Sequence, residues 1–301
     1  MIRITNNMLV NDLKRNLNSN MRNMDIYQRQ LSTGRKINQP SDNPAGLVKS
    51  LRLRTSLTEG EQYIANIDEA LNFMETTDAA LDNVNQILQR VRELTVKAGN
   101  GTNDASAFEA IAAEIGELVD QLKLVANTTY GAKYIFAGSN VTEPPVDGDK
   151  WQGNEQLLEL EIGAGVKIDI NLTMKGFFGN PDGLDDAGVS DGGLFGLLND
   201  LETAVNSGDL EAVKTGLGDI DGKIDSLLSM RAVVGAKINR LELQKNRLES
   251  TQTSFTGLLA QNEDADMAEV IMQLKMQENV YRASLAAGTR IILPSLADFL
   301  R

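Results

Sequence analysis

Val10-Asn-Asp-Leu13-Lys-Arg-Asn-Leu17-Asn-Ser-Asn20-Met-Arg-Asn-Met24-Asp-Ile-Tyr27-Gln-Arg-Gln-Leu31 decides how this chain is read. Steps of three and four pick out Val10, Leu13, Leu17, Asn20, Met24, Tyr27 and Leu31, six of them apolar. That spacing predicts a helix with one heptad seam, its remaining surface Asn, Gln, Arg and Asp. The next residues, Ser32-Thr-Gly34-Arg-Lys-Ile37-Asn38-Gln-Pro40-Ser41-Asp42-Asn43-Pro44-Ala-Gly46, abandon the period. Gly34 can close the helix, and Pro40 and Pro44 force the residues before them into extended conformations. Ser41 or Asp42 is placed to cap a second helix that carries Pro44 in its first turn.

A single seam needs a partner, and the far end of the chain offers one. From Met267 the same stepping gives Met267, Ile271, Leu274, Glu278, Tyr281, Leu285, Gly288, Ile292, Ser295 and Phe299, of which seven are apolar or aromatic. Pro294 is expected to bend the last turn. The two stripes hold thirteen apolar side chains, each contributing about 1.5–3 kcal/mol on full burial. Ordering their helices costs on the order of 1–2 kcal/mol per residue. A lone pair of this kind is marginal. The expectation is that the ends are mobile in a monomer and become ordered when copies pack around them.

Between the ends, the sequence alternates long helices with one irregular region. A short helix is expected from about Pro44 to Thr55. A long one follows through Ile64, Ile67, Leu71, Met74, Leu81, Val84, Leu88 and Val91, stopped by Gly99-Asn-Gly101. Asp104 or Ser106 restarts a helix through Phe108, Ile111, Ile115, Leu118, Leu122 and Val125, making an antiparallel hairpin with a short loop. Composition then changes: residues 131–196 hold thirteen of the 26 glycines and the only tryptophan. Lys133–Ala137, Leu157–Ile162 and Val166–Leu172 read as strands, the last two joined at Gly163-Ala-Gly165. This acidic stretch reads as a wet outer insertion. Helix resumes at Leu194 and breaks at Asn206-Ser-Gly208. The longest seam runs from Leu210 to Leu259, with Arg231, Lys245 and Gln252 as polar positions that fix register.

The fold class that follows is mainly α: a long antiparallel helical bundle and coiled coil built from both ends of the chain, with a small β-rich inserted domain. The expected division is 1–43 and 263–301 as the two halves of an inner coiled coil, 44–139 and 191–262 as the halves of a bundle, and 140–190 as the insertion.

Composition narrows the function. There is no cysteine and no histidine among the 301 residues, which removes disulfides, thiol chemistry, zinc sites and histidine acid–base catalysis. Formal net charge is −13. It is unevenly spread, with ten Lys/Arg against three Asp/Glu in residues 1–56. That basic start lacks the interleaved aromatics of a nucleic-acid surface. The N-terminus has no apolar signal core and no eighteen-residue apolar run could span a membrane; export, if it occurs, uses no cleaved signal. Asp182, Asp185, Asp186 and Asp191 cluster in a Gly-rich loop but miss the EF-hand spacing and read as solvated. Gly163-Ala-Gly165 and Gly216-Leu-Gly218 lack a phosphate-loop context. No catalytic, cofactor or metal site emerges. What remains is assembly, with an amphipathic membrane-surface role for residues 267–300 as a competing class that vesicle co-sedimentation would detect.

The stretch from Leu31 to Gly46 resembles the N-terminal signature shared by flagellins and flagellar hook-associated proteins. Ser284-Leu-Ala-Ala-Gly-Thr-Arg-Ile-Ile-Leu-Pro-Ser-Leu-Ala-Asp-Phe-Leu300 is similar to the C-terminus of the hook–filament junction members of that family. The resemblance implies a non-enzymatic protein of the bacterial flagellum, without cofactor, nucleic acid or membrane. Its terminal helices would form an inner coiled-coil layer around a channel, packing through Leu13, Leu17, Met24, Tyr27, Leu31, Ile271, Leu274, Tyr281, Leu285, Ile292, Leu296, Phe299 and Leu300. Gly34, Ile37, Asn38, Pro40, Asp42, Pro44 and Gly46 would be a connector of fixed geometry. Implied partners are further copies in a ring, hook-associated protein 1, flagellin and a cytoplasmic export chaperone. The implied location is extracellular, reached through the flagellar export apparatus. Asn43 departs from the acidic residue common at its position, with a modest effect on capping expected. A short filament-forming flagellin is the alternative within the same family.

Overall fold

The computed structural model describes residues 6–100, 104–148, 150–184 and 192–299, with side chains from residue 8 to 289. In chain order these form α1 (Asn6–Thr33), α2 (Pro44–Gly99), α3 (Ala105–Ala126), three short hairpins, the single turn α4 (Lys175–Phe178), α5 (Leu194–Ser207), α6 (Leu210–Glu263) and α7 (Met267–Phe299). The hairpins pair β1 (Thr129–Tyr130) with β2 (Lys133–Tyr134), β3 (Val146–Asp147) with β4 (Lys150–Trp151), and β5 (Glu159–Gly163) with β6 (Val166–Asp169), all antiparallel. The chain divides into two units, Gly60–Glu249 and the combined ends Met1–Glu59 with Ser250–Arg301. The mainly α fold with small β-rich insertions agrees with the sequence reading.

The unit Gly60–Glu249 is a bundle of α2, α3, α5 and α6 with a fully enclosed core. Ile67, Leu81 and Leu88 of α2 meet Ile115 and Leu122 of α3, Leu198 and Val205 of α5, and Ile220, Leu227 and Leu241 of α6, all at most 2% exposed. Two of the polar seam positions of α6, Arg231 and Lys245, turn toward α2. Arg231 bonds both Asp78 (3.0 Å) and Asp82 (2.7 Å), and Lys245 bonds Asp68 (2.7 Å). Charges at these heptad positions set one register for the two long helices. Asp104 caps α3 through the Ala107 amide (2.8 Å), as the sequence allowed. Gly208 closes α5 in the left-handed region at φ 73°.

Three expectations are corrected. The break expected near Thr55 is absent, and Pro44–Gly99 is one 56-residue helix. The apolar period fades over residues 55–63, but the only poor helix former there is Gly60, a cost of about 1 kcal/mol that neighbouring turns absorb. The strand expected over Lys133–Ala137 pairs only at Lys133–Tyr134, because Ile135, Phe136 and Ala137 are fully buried and fixed by packing instead. The expected strands Leu157–Ile162 and Val166–Leu172 also shorten. The Ile170 N–H still reaches the Leu158 carbonyl (3.0 Å), but beyond that bond the ladder gives way to the buried Asn171 side-chain amide, which accepts from the Leu158 N–H (2.8 Å) and donates to the Gln156 carbonyl (2.9 Å).

The β-rich region is less detached than its composition suggested. Trp151 stacks on Phe178 (5.5 Å), which stacks in turn on Phe195 of α5 (5.7 Å), and Phe136 meets the same ring edge-on (5.8 Å). These rings join the bundle core. Asp182 accepts from the Leu184 amide, while Asp185, Asp186 and Asp191 lie outside the described residues. Among the described residues no helix is long and apolar enough to cross a membrane.

Candidate assembly surface

The ends pack as an antiparallel pair, α1 against α7. Leu13 sits in the gap left by the buried Gly288, where a Cβ would fall 2.6 Å from the leucine Cδ2. Nearer the other end, Tyr27, Gln30 and Lys36 line a groove of about 220 Å³ with Asp266, Val270 and Gln273. Helical geometry places Val270, Leu274, Gln277, Tyr281 and Gly288 on one stripe. Val270 and Gly288 are buried there and the other three half-buried.

The expected packing residues divide around this stripe. Leu13, Leu17, Met24, Tyr27 and Leu31 of α1, with Leu274 and Tyr281 of α7, are half-buried. Ile271 and Leu285 stand off the stripe at 47% and 44% exposure, beside Met267 at 41%. On the opposite side of the same helix Met272, Met276 and Val280 are exposed by 62%, 50% and 42%. At about 100° per residue, Ile271 and Met276 lie to either side of the α1-facing stripe. The helix therefore carries apolar surface on both flanks. Ile292, Leu296 and Phe299 fall within α7, but their side chains lie outside the described residues, as does Leu300 altogether. The cations of α1 are partly used along its own surface, Arg15 with Asp12 and Arg29 with Asp25.

The connector between α1 and α2 is built by a few local bonds. Gly34, at φ 71°, donates to the Gln30 carbonyl (2.8 Å) and ends α1. Asp42 does not cap α2. Its carboxylate accepts instead from the amides of Asn38 (3.0 Å) and Gln39 (2.8 Å), folding the loop on itself. Asn43 is the cap, accepting from the Gly46 amide (2.9 Å), with Pro44 in the first helical position. Asparagine serves as well as aspartate there because one side-chain oxygen suffices. Asn38 also donates to the Arg35 carbonyl (2.8 Å). Pro40 is exposed; Ile37 and Gly46 are buried. Gly46 has no room for a side chain, since a Cβ would lie 2.7 Å from Ile37 Cδ1 and 2.6 Å from Asn43 Nδ2.

The sequence reading missed a second strand of this connector. Residues 261–265, between α6 and α7, run against residues 34–36. Lys36 donates its amide to the Glu263 carbonyl (2.7 Å) and Ala265 donates to the Gly34 carbonyl (2.9 Å), around an antiparallel bridge between Arg35 and Asp264. Lys36 Nζ donates to the Gln261 carbonyl (2.7 Å). Asn262 donates to the Gly46 carbonyl (2.7 Å) and to Ser50 Oγ (2.6 Å). Beneath them the Glu263 carboxylate, 7% exposed, receives the fork of Arg54 at 3.2 and 2.5 Å, with Arg35 Nε at 3.6 Å. Burial alone would push this carboxyl up. The hydrogen bonds from Arg54 and Ser50 and the charges of Arg54 and Arg35 outweigh it and hold the group below the usual glutamate range.

The family described as the bacterial flagellin N-terminal helical region matches residues 4–141. The chain is 30% identical over 287 residues to a flagellin of Bacillus subtilis, covering 92% of this chain and 90% of that one. It is 27% identical over 280 residues to flagellar hook-associated protein 3 of Escherichia coli, covering 87% and 88%. Its fold is similar to that of a flagellar hook-associated protein of Vibrio parahaemolyticus, with a TM-score of 0.65 at 18% identity over 74% of this chain and all of that one.

Proposed function

The chain belongs to the flagellin family, and from that premise we propose that it is the junction protein of a bacterial flagellum, the role of hook-associated protein 3. Its relatives are structural proteins of the flagellum and not enzymes. In this reading it joins the hook, through hook-associated protein 1, to the first flagellin subunits. Copies pack as a ring through α1 and α7, after export unfolded, without a cleaved signal, and with a cytoplasmic chaperone covering the C-terminal helix beforehand.

The observation that carries assembly is the exposure of both flanks of α7. An isologous dimer would cover one patch with its own copy and leave the other wet. Two different flanks call for two different neighbours, which is the heterologous contact that closes into a ring or continues into a tube. The junction role, as opposed to the filament, is favoured by the C-terminal Pro294-Ser-Leu-Ala-Asp-Phe-Leu300. The 30% identity to a flagellin of nearly equal span favours the second reading, a short filament-forming flagellin.

One experiment separates them. Purified protein is incubated alone and with hooks that carry hook-associated protein 1. The junction reading expects growth only on the capped hooks, and cells lacking the gene should show bare hooks and shed flagellin. Long filaments from the protein alone would establish the flagellin reading in its place.

A further inference from the structure

A residue can govern assembly without touching a neighbour, by fixing how the touching surface is held. Among the described residues Glu263 is the only buried charged side chain. Its partners are Arg54, Ser50 and Arg35, and its own carbonyl takes the Lys36 amide. All of them belong to the segment that follows α1 in sequence. Glu263 itself is the last residue of α6, separated by three residues from Met267, where α7 begins. The Arg54 fork joins α2 to the end of α6, and Arg35 and the Lys36 amide beside it tie the stretch that follows α1 to the stretch that precedes α7. We propose that Glu263, with Arg54 as its counter-ion, is a positioning residue for assembly, locking α1 and α7 in a single register so that their flanks are presented pre-paired.

A buried ion pair adds little net stability, because desolvation cancels most of the attraction; what it offers is discrimination between alternative arrangements. The terminal pair needs such discrimination. Its facing stripe holds Asn20 and Gln277 among modest apolar side chains, and only the Leu13–Gly288 fit is steric. A slip of one turn, about 5.4 Å, would move Leu13 out of that gap and turn different methyl groups to the flanks. Within the clasp a slip is costly. It would draw Arg35 away from the buried Glu263 carboxylate, leaving Arg54 as its only cation, and break the amide bonds of Lys36 and Ala265 together. The fork also explains arginine at position 54. A lysine could supply the charge but not two parallel bonds to one carboxylate.

The inference rests on the assembly reading above, and the test separates the two. Full-length wild-type, E263Q, R54M and R54K proteins are compared by amide exchange at Lys36 and Ala265, by incorporation onto hook tips carrying hook-associated protein 1, and by thermal melting. E263Q keeps the shape and removes the charge. We expect E263Q and R54M to lose protection at those two amides by on the order of tenfold, with a comparable loss of incorporation. R54K should fall between them and wild type, and the main melting transition of the bundle should not move. Incorporation of E263Q at the wild-type rate would overturn the positioning role while leaving the assembly reading intact. Unchanged protection in E263Q and R54M would overturn the clasp. Wild-type protein that incorporates nowhere would refute the assembly reading, and the positioning role with it.

Discussion

The bundle and the terminal pair are made of the same material, long helices with heptad apolar seams, yet they finish differently. In the bundle, α2, α3, α5 and α6 surround one another, and side chains such as Ile67, Leu81 and Leu88 are fully enclosed. In the unit formed by the chain ends, the only buried apolar side chains among the described residues are Ile37 and Val270. Two helices can bury only the faces they turn toward each other, whereas four can bury a shared interior. A heptad seam is a demand for partners, and the number of partners inside the chain decides whether the demand is met there. In the bundle it is; at the ends it is met by half.

The sharpest way to break this contrast is to place a charge on an exposed flank. Leu285→Asp alters a side chain 44% exposed in the monomer, so melting should move by no more than surface substitutions do, about 0.5 kcal/mol. Incorporation onto hook tips should be abolished, because a carboxylate buried against a neighbour without a counter-ion costs several kcal/mol at every repeat. A large fall in melting temperature with assembly retained would reverse the assignment of the two regions.

The complementary change is in the bundle. Leu88 is wholly buried, and Leu88→Ala should cost about 2–5 kcal/mol, read as a drop in the denaturant midpoint. The surviving folded fraction should still incorporate, since nothing on the flanks has changed. The seams of both regions were legible in the sequence at this level, because helical periodicity reports which residues are apolar together. It could not report orientation. Stepping from Met267 collected Ile271 and Leu285 together with Leu274, Tyr281 and Gly288, whereas the face turned to α1 keeps the last three and replaces the first two with Val270 and Gln277. The connector was visible through its prolines and glycines. Its other half, Asn262, Glu263 and Asp264, was not, because the contacts that give those residues meaning join positions more than two hundred apart in the chain. A polar tetrapeptide at a helix end looks the same whether it is solvated or clasped.

Acid separates the regions by a smaller margin. The Glu263 carboxyl is depressed when folded, so its pairing contributes fully above the ordinary glutamate value of about 4.3. The contribution is lost as pH falls from there through the folded-state value. The charged groups that face it are the guanidinium groups of Arg54 and Arg35, and Asp264 beside it is exposed. Protection of the Lys36 and Ala265 amides, corrected for intrinsic exchange, should therefore fall below about pH 4.3 while amides at Leu88 keep theirs. In E263Q the fall should vanish.

The smallest effect uses one substitution in both places. Gly60 lies inside α2 with nothing within 4 Å of a Cβ built on it. Gly60→Ala there gains the usual advantage of alanine in a helix, about 0.5–1 kcal/mol, and should raise the melting temperature slightly. Gly288→Ala gains the same propensity but puts its methyl 2.6 Å from Leu13 Cδ2. Leu13 can swing its terminal methyl groups aside, because its helix pair is covered on that stripe alone, so the steric cost stays near the lower end of about 1–3 kcal/mol and roughly offsets the gain. Melting should barely change, while amide exchange along α1 near Leu13 should rise. If Gly288→Ala instead stabilised that region as Gly60→Ala stabilises α2, the leucine would not be seated in the glycine gap, and the register of the terminal pair would have to be drawn from the clasp alone.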